Sequence, residues 1–242
     1  DFFNINVESG VIVIDVEKNV SSYSRKIKKF IKIENSSKSL YRTLKDISLD
    51  YELLILYPNQ DIYVKYLSEL YSKIKEYSFF GFNHINVINY QNKMLQYNFC
   101  KKLEIPIPKT ILISNREDLD KRNLSKVLFP LLIKPTQRDN FNSKIFRNLL
   151  VKDANELQKK ITILSKYLDN GTKFIVSEVI PGNGSNIFSY TAYRSKKGKI
   201  LAEWGGRKLS QFPDDYGVFS SASNESPDII FKYGQKLLHA MD

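Results

Sequence analysis

Phe129-Pro130-Leu131-Leu132-Ile133-Lys134-Pro135 is an apolar run set between prolines and closed by a lysine. Its Leu and Ile content and its proline borders predict a short buried strand. Pro135 removes a backbone donor, so regular pairing stops there. A lysine at the end of such a strand is costly unless its ammonium meets an anion. The stretch therefore reads as a strand that delivers one fixed positive charge into a cleft. The competing reading is an edge strand whose last lysine snorkels to water.

Upstream, Val11-Ile12-Val13-Ile14-Asp15 is a β-branched run ending in a carboxylate and predicts a buried strand. Leu53 to Pro58 predicts a second, stopped by proline. Tyr41 to Ile47 reads as a short helix, and Asp61 to Lys75 places Ile62, Val64, Leu67, Leu70, Tyr71 and Ile74 near helical period. Strands alternating with helices predict parallel βαβ units. A ligand would then lie near Pro58-Asn59-Gln60-Asp61, past a strand's carboxyl end.

Asn92 to Leu103 is helical by composition and halts at Ile105-Pro106-Ile107-Pro108, where the prolines force an extended chain. Lys109 to Ile113 follows as a strand. After Lys134 the chain is polar through Thr136 to Asn142, an expected loop, and Ile145 to Val151 returns as a strand. Asp153 with Glu156 resembles a capping box opening a helix, which Asn170-Gly171 ends. Lys173 to Ile180 is another strand, broken at Pro181-Gly182. Ile187 to Tyr193 and Ile200 to Trp204 alternate around Lys196-Lys197-Gly198-Lys199, which predicts an antiparallel hairpin. Pro227 to Leu238 reads as a last helix. The order is an α/β unit, a Pro-rich hinge, a small α+β lobe and an antiparallel lobe. A cleft between two such lobes is a natural ligand site.

The 242 residues suffice for a real core. A net charge of +11 and a pI near 9.4 suit anionic partners. The lysines are scattered, however. The one compact basic block, Arg25-Lys26-Ile27-Lys28-Lys29, has helical spacing and reads as a solvated face. No nucleic-acid reading motif is present, so no nucleic-acid partner is expected. Cys100 is the only cysteine, which excludes an internal disulfide and fits a reducing compartment. His84 and His239 are the only histidines, which argues against a His/Cys metal site and against a Ser-His-Asp or Cys-His hydrolase. Both histidines, Cys100 and Trp204 read as packing residues. No apolar run would span a bilayer and the N-terminus is not a signal peptide; a cytoplasmic protein with no membrane partner is expected. Neither G-x-x-x-x-G-K-[ST] nor G-x-G-x-x-G after a strand occurs, so a bound nucleotide would have to find its positive charge on side chains. Lys93, Lys134, Lys208 and Lys144 are available.

Five segments in this order resemble the ATP-grasp ligases. They are Asn92-Lys93 before its helix, Ile105 to Thr110, Phe129 to Pro135, Val176-Ser177-Glu178-Val179-Ile180-Pro181-Gly182, and Gly206-Arg207-Lys208-Leu209-Ser210-Gln211-Phe212-Pro213. In particular they resemble the subgroup of carboxylate-amine ligases related to carbamoyl-phosphate synthase and D-aspartate ligase. Ser24-Arg25 and Leu56 to Asp61 look like that family's preceding α/β domain. The resemblance implies a Rossmann-like pre-ATP-grasp domain over 1–91 and an incomplete two-lobed ATP-grasp domain over 92–242. The small lobe would cover about 109–180, and a large antiparallel lobe would begin at about 181–242.

The resemblance also implies an activity: ATP phosphorylates a carboxylate, and an amine displaces the phosphate. Lys134 would hold the α-phosphate and Lys93 the phosphate tail. Glu178, Val179 and Ile180 would form the hinge strand against the adenine. Lys144 would sit on a loop closing over the phosphates. Arg207 and Lys208 would face the triphosphate or the acyl phosphate as catalytic residues. The implied partners are a small-molecule carboxylate and an amine, and a homodimer stays open. Phosphoryl transfer needs positioning and charge neutralisation more than covalent chemistry, which suits such a set.

The chain departs from the family in three places. No carboxylate follows the hinge, so ribose contacts would be weaker or would fall to Asn186. Asn92 stands where the family often has aspartate. The family's Mg2+ ligands lie on a Glu-x-Asn strand past the last helix, beyond Asp242, so the chain reads as truncated at both ends with no metal ligands of its own. Two alternatives remain: a non-catalytic nucleotide-binding or regulatory domain of the same fold, and a basic nucleic-acid-binding protein.

Overall fold

The computed structural model describes residues 10–120, 124–137, 145–212 and 217–241. The chain divides into two compact units, Asp1–Ile88 and Asn89–Asp242.

The first unit runs β1 (Val11–Asp15), β2 (Ile27–Lys32), α1 (Ser37–Ile47), β3 (Leu54–Ile55), α2 (Asp61–Ile74) and β4 (Ser78–Phe79). β1 pairs in parallel with β2, and β3 in parallel with β4, as the alternation of strands and helices requires. Ser36 caps α1, its hydroxyl accepting from the Ser39 N–H at 3.1 Å. Leu40 and Leu44 of α1 and Ile62, Leu67, Leu70 and Ile74 of α2 form the core with Leu54.

Two expectations fail here. Part of the basic block at Arg25–Lys29 is strand β2, not a helical face. Its apolar Ile27, Phe30 and Ile31 are drawn against β1, and pairing overrides the local spacing. The run at Leu53–Tyr57 is only half-buried: Leu54 faces the core while Leu53, Ile55 and Tyr57 are exposed. A continuous apolar run had implied burial on both faces, but among the described residues this strand has one short partner.

The second unit contains α3 from Val87 (Val87–Gln91, begun in the first), α4 (Lys93–Lys102), β5 (Thr110–Ile113), β6 (Leu131–Pro135), β7 (Leu149–Val151), α5 (Ala154–Asp169) and β8 (Phe174–Glu178). It ends with β9 (Phe188–Arg194), β10 (Ile200–Phe212), β11 (Val218–Ser223) and α6 (Asp228–Ala240). One antiparallel sheet has the order β5-β8-β6-β7 and another the order β11-β10-β9.

β6 is thus an inner strand, which removes the edge-strand reading of Lys134. Leu131 and Ile133 point into a core shared with Leu157, Leu164 and Leu168 of α5 and with Phe174 and Val176. By alternation Leu132 and Lys134 take the other face. Asp153 caps α5 by accepting from the Glu156 N–H at 2.8 Å, and Glu156 in turn accepts from the Lys152 N–H, one residue earlier than a capping box requires. The helix ends at Asn170 and at Gly171, whose φ of 81° is left-handed. The hairpin expected around Lys196–Lys199 is present. β10 runs eight residues beyond the expected Trp204, and a third strand, β11, follows.

Candidate active site

The end of β6 organises the first group of candidates. Lys134 is half-buried, and no carboxylate pairs with it among the described residues. Burial pushes its ammonium below the usual lysine range, and the Arg147 guanidinium pushes the same way. A cation that is desolvated and repelled by a second cation is a place that favours an anion. Arg147 was missed by the sequence reading. It follows a polar stretch of sequence, and only its charge acting on Lys134 marks it.

Two residues on, the buried Thr136 ties this strand end to its neighbours. Its N–H donates to the Lys173 C=O at 2.9 Å, and its C=O accepts from the Lys93 N–H at 3.0 Å. Lys93 therefore stands at the start of α4 close by the strand that carries Lys134. Asn92 caps that helix, its side-chain oxygen accepting from the Met94 and Leu95 N–H groups. The cap needs only the oxygen that asparagine shares with the aspartate of the family pattern.

β8 brings the hinge residues beside β6. Glu178 donates its N–H to the Lys109 C=O at 3.1 Å, and its carboxylate accepts from the Lys109 N–H at 2.9 Å. The Val179 N–H donates to the Pro130 C=O at 3.0 Å. Pro130 has no N–H to return to the Val179 carbonyl opposite it, so the β6–β8 ladder ends there. Ile180 follows with 64% of its surface exposed. By alternation Ser177 and Val179 share the face of Lys134, whereas Glu178 turns to the other face. The hinge N–H groups of Glu178 and Val179 are therefore engaged within the protein. Ile180 and the Val179 carbonyl are what the hinge can offer a base edge.

The second group centres on β10. Asn186 ends a short 3-10 turn, Gly184–Asn186, next to Gly182 at φ 144°. That turn is fastened to β10 twice: Arg207 Nε donates to the Ser185 C=O at 2.9 Å, and the Lys208 N–H donates to the Ile187 C=O at 2.9 Å. The structure thus brings Asn186, Arg207 and Lys208 together.

It does not put the last two on one face. Arg207 lies on the face that α6 covers, 4.0 Å from Glu225, together with Gly205, which packs against Phe231. Lys208 takes the opposite face. It is buried at 5% exposure, and its Nζ donates to Gln211 Oε1 at 2.7 Å and to the Gly217 C=O at 3.3 Å, over the Phe219 ring. The expectation that Arg207 and Lys208 both face the triphosphate or the acyl phosphate therefore meets an obstacle: neighbours on a strand diverge. Lys144 lies outside the described residues.

The α6 face of this sheet has its own polar network. Tyr190 Oη donates to Glu203 at 2.8 Å, and Gln235 donates to both carboxylate oxygens. Gln235 and Tyr190 hold the Glu203 carboxyl below its usual range, while burial and that same hydrogen bond push the Tyr190 phenol up to about 12. These groups satisfy one another, so the groove of about 430 Å³ that Glu203 lines with Gln235 and His239 is not the better candidate.

The described residues hold no cluster of three or more His, Cys, Asp or Glu side chains that could hold a metal ion. Burial pushes the Cys100 thiol up, away from nucleophilic use. No helix among the described residues is long and apolar enough to cross a membrane.

Solved structures share this architecture. N5-carboxyaminoimidazole ribonucleotide synthetase from Thermus thermophilus superposes with a TM-score of 0.67 at 16% identity, over 96% of this chain and 57% of that one. The N5-carboxyaminoimidazole synthetase from Staphylococcus aureus complexed with ADP gives 0.59 at 15% identity, over 82% and 48%. D-alanine–D-alanine ligase from Bacillus anthracis gives 0.60 at 16% identity, over 96% and 78%. The fold is that of the ATP-grasp ligases.

The chain spans about half the length of the two synthetases. No family model and no curated protein matches its sequence. At these identities the likeness is one of fold. The ATP-grasp architecture accounts for two antiparallel sheets in one unit following an α/β unit.

Proposed function

We propose that this chain carries the nucleotide site of an ATP-dependent carboxylate-amine ligase. The observation that carries the reading is Lys134: a half-buried ammonium on an inner strand, repelled by Arg147, with Lys93 fastened beside it through Thr136. The ATP-grasp fold supports it, and one solved protein of that fold was complexed with ADP.

In this reading Lys134 and Arg147 hold the inner phosphates, and Lys93 with the first turn of α4 holds the phosphate tail. Ile180 and the Val179 carbonyl meet the adenine, and Asn186 meets the ribose. Lys208 turns its buried ammonium toward the reacting phosphate, while Arg207 acts as a positioning residue through Ser185. A carboxylate oxygen attacks the γ-phosphorus, the bond to the β–γ bridging oxygen breaks, and ADP leaves with the electron pair. An amine then attacks the acyl carbon, phosphate leaves, and the amine gives up a proton. Mg2+ would supply further charge neutralisation in such a reaction, and no step here is assigned to it.

Calorimetric titration of ADP into the whole chain tests the site. Saturable 1:1 binding is expected, and no heat up to millimolar ADP would contradict it. Hydroxylamine then separates ligase from binding module. With ATP and a pool of small carboxylates, a ligase forms hydroxamate from the trapped acyl phosphate, whereas a regulatory domain forms none.

A further inference from the structure

Trp204 was expected to be a packing residue, yet 40% of its surface is exposed. It stands on β10 between Ala202 and Gly206, on the face turned away from α6. The inner side of its ring is flush with the backbone: a Cβ on Gly206 would lie 1.8–2.5 Å from three of its ring carbons. Glycine inside a strand costs stability and weakens pairing. Here its effect is to let an indole lie flat across the sheet, one side seated and the other open. Farther along the same face is Lys208, a buried cation whose partners are all neutral among the described residues. The face thus combines an aromatic plane with an ammonium that has no carboxylate partner among the described residues.

We infer that Trp204 is the stacking platform for the body of the carboxylate substrate, and that this substrate is planar or aromatic. The inference rests on the ligase reading, in which the attacking carboxylate must lie against the γ-phosphate near Lys208. A substrate anchored there by its carboxylate extends along the strand toward Trp204. A flat group gains most from a flat, immobilised ring, because stacking geometry is satisfied without ordering a flexible side chain. Trp204 is then a specificity-determining residue, and Gly206 positions it.

Trp204 is the only tryptophan in the chain, so its fluorescence reports this site alone. The test titrates 4-nitrobenzoate, a planar anion that quenches indole, into the whole chain with saturating ADP. The neutral 4-nitrobenzamide is the comparison. Saturable quenching by the benzoate and only linear, collisional quenching by the benzamide is expected. Gly206→Ala should displace the ring and weaken the saturable component by roughly two- to tenfold, with circular dichroism as the check on folding. If that variant does not fold, the contrast between anion and amide on the unaltered chain decides.

Linear quenching of equal slope by both compounds would overturn the inference. So would saturable quenching by ADP alone, which would assign the ring to adenine. Calorimetry on the same sample keeps the two claims apart. Bound ADP without benzoate saturation removes only the platform. Benzoate saturation without ADP binding overturns its assignment to a ligase reaction and removes the nucleotide reading with it.

Discussion

Lys134 has an ammonium that folding places where it is held below its ordinary range, by burial first and by Arg147 second. The sign of its effect on stability follows. Between the folded and unfolded values, the unfolded chain keeps the proton that the folded chain has released. This group therefore makes the free protein more stable as pH rises through that window and less stable as pH falls. A phosphate at Lys134 restores the proton, so ADP binding within that pH window is expected to take up protons. Titrations in two buffers of different ionisation enthalpy would show it, and Lys134→Ala should reduce the uptake. A second residue-scale test concerns Asp15, 5% exposed, whose carboxylate accepts from Val16 N–H, Asn19 Nδ2 and Tyr63 Oη. Burial and that last bond hold the Tyr63 phenol well above its usual range. Asp15→Ala removes the acceptor of the buried Tyr63 hydroxyl and is expected to cost about 2–3 kcal/mol in chemical denaturation.

At the scale of elements, the close approach of α6 to β9 is a packing device. A Cβ on Gly234 would lie 2.3 Å from the base of the Tyr190 ring, and that ring is anchored at its far end by Glu203. Alanine gains about 1 kcal/mol over glycine in a helix, but overpacking here costs about 1–3 kcal/mol. Gly234→Ala is therefore expected to lower the melting temperature, where an exposed helical glycine would raise it. Elements also divide what the sequence could disclose from what it could not. β6, α4, α5 and β8 were legible because proline borders, caps and apolar period all agree there. β2 was obscured by lysines at helical spacing, and the full length of β10 and the presence of β11 by Gly205-Gly206 and by serine-rich strands with weak β-preference. Among the candidate site residues, the placement of Lys134 at the end of an inner strand was legible as a charge closing an apolar run. The divergence of Arg207 and Lys208 became visible only once both were known to be in one strand. Arg147 could not be found at all, because nothing local distinguishes it from other surface arginines.

At the scale of the whole molecule, two units with separate cores should respond differently to ligand. The ligand contacts proposed here all belong to the unit that starts at Asn89. ADP at a hundred times its Kd is expected to stabilise that unit by about 2.7 kcal/mol. Amide hydrogen exchange on the whole chain should show added protection in α4, β6 and β8 and little change in β1 and α2. Protection confined to the first unit would move the site.

The central claim is that one ammonium at the end of an inner strand grips a nucleotide's phosphates. Its most direct test compares ADP with adenosine by calorimetry on the unaltered chain and on Lys134→Ala. ADP affinity is expected to fall roughly ten- to a hundredfold in the variant, the loss of one charge-assisted contact, with adenosine affinity unchanged. Equal ADP affinity in the two proteins, or an equal loss for ADP and adenosine, would contradict it.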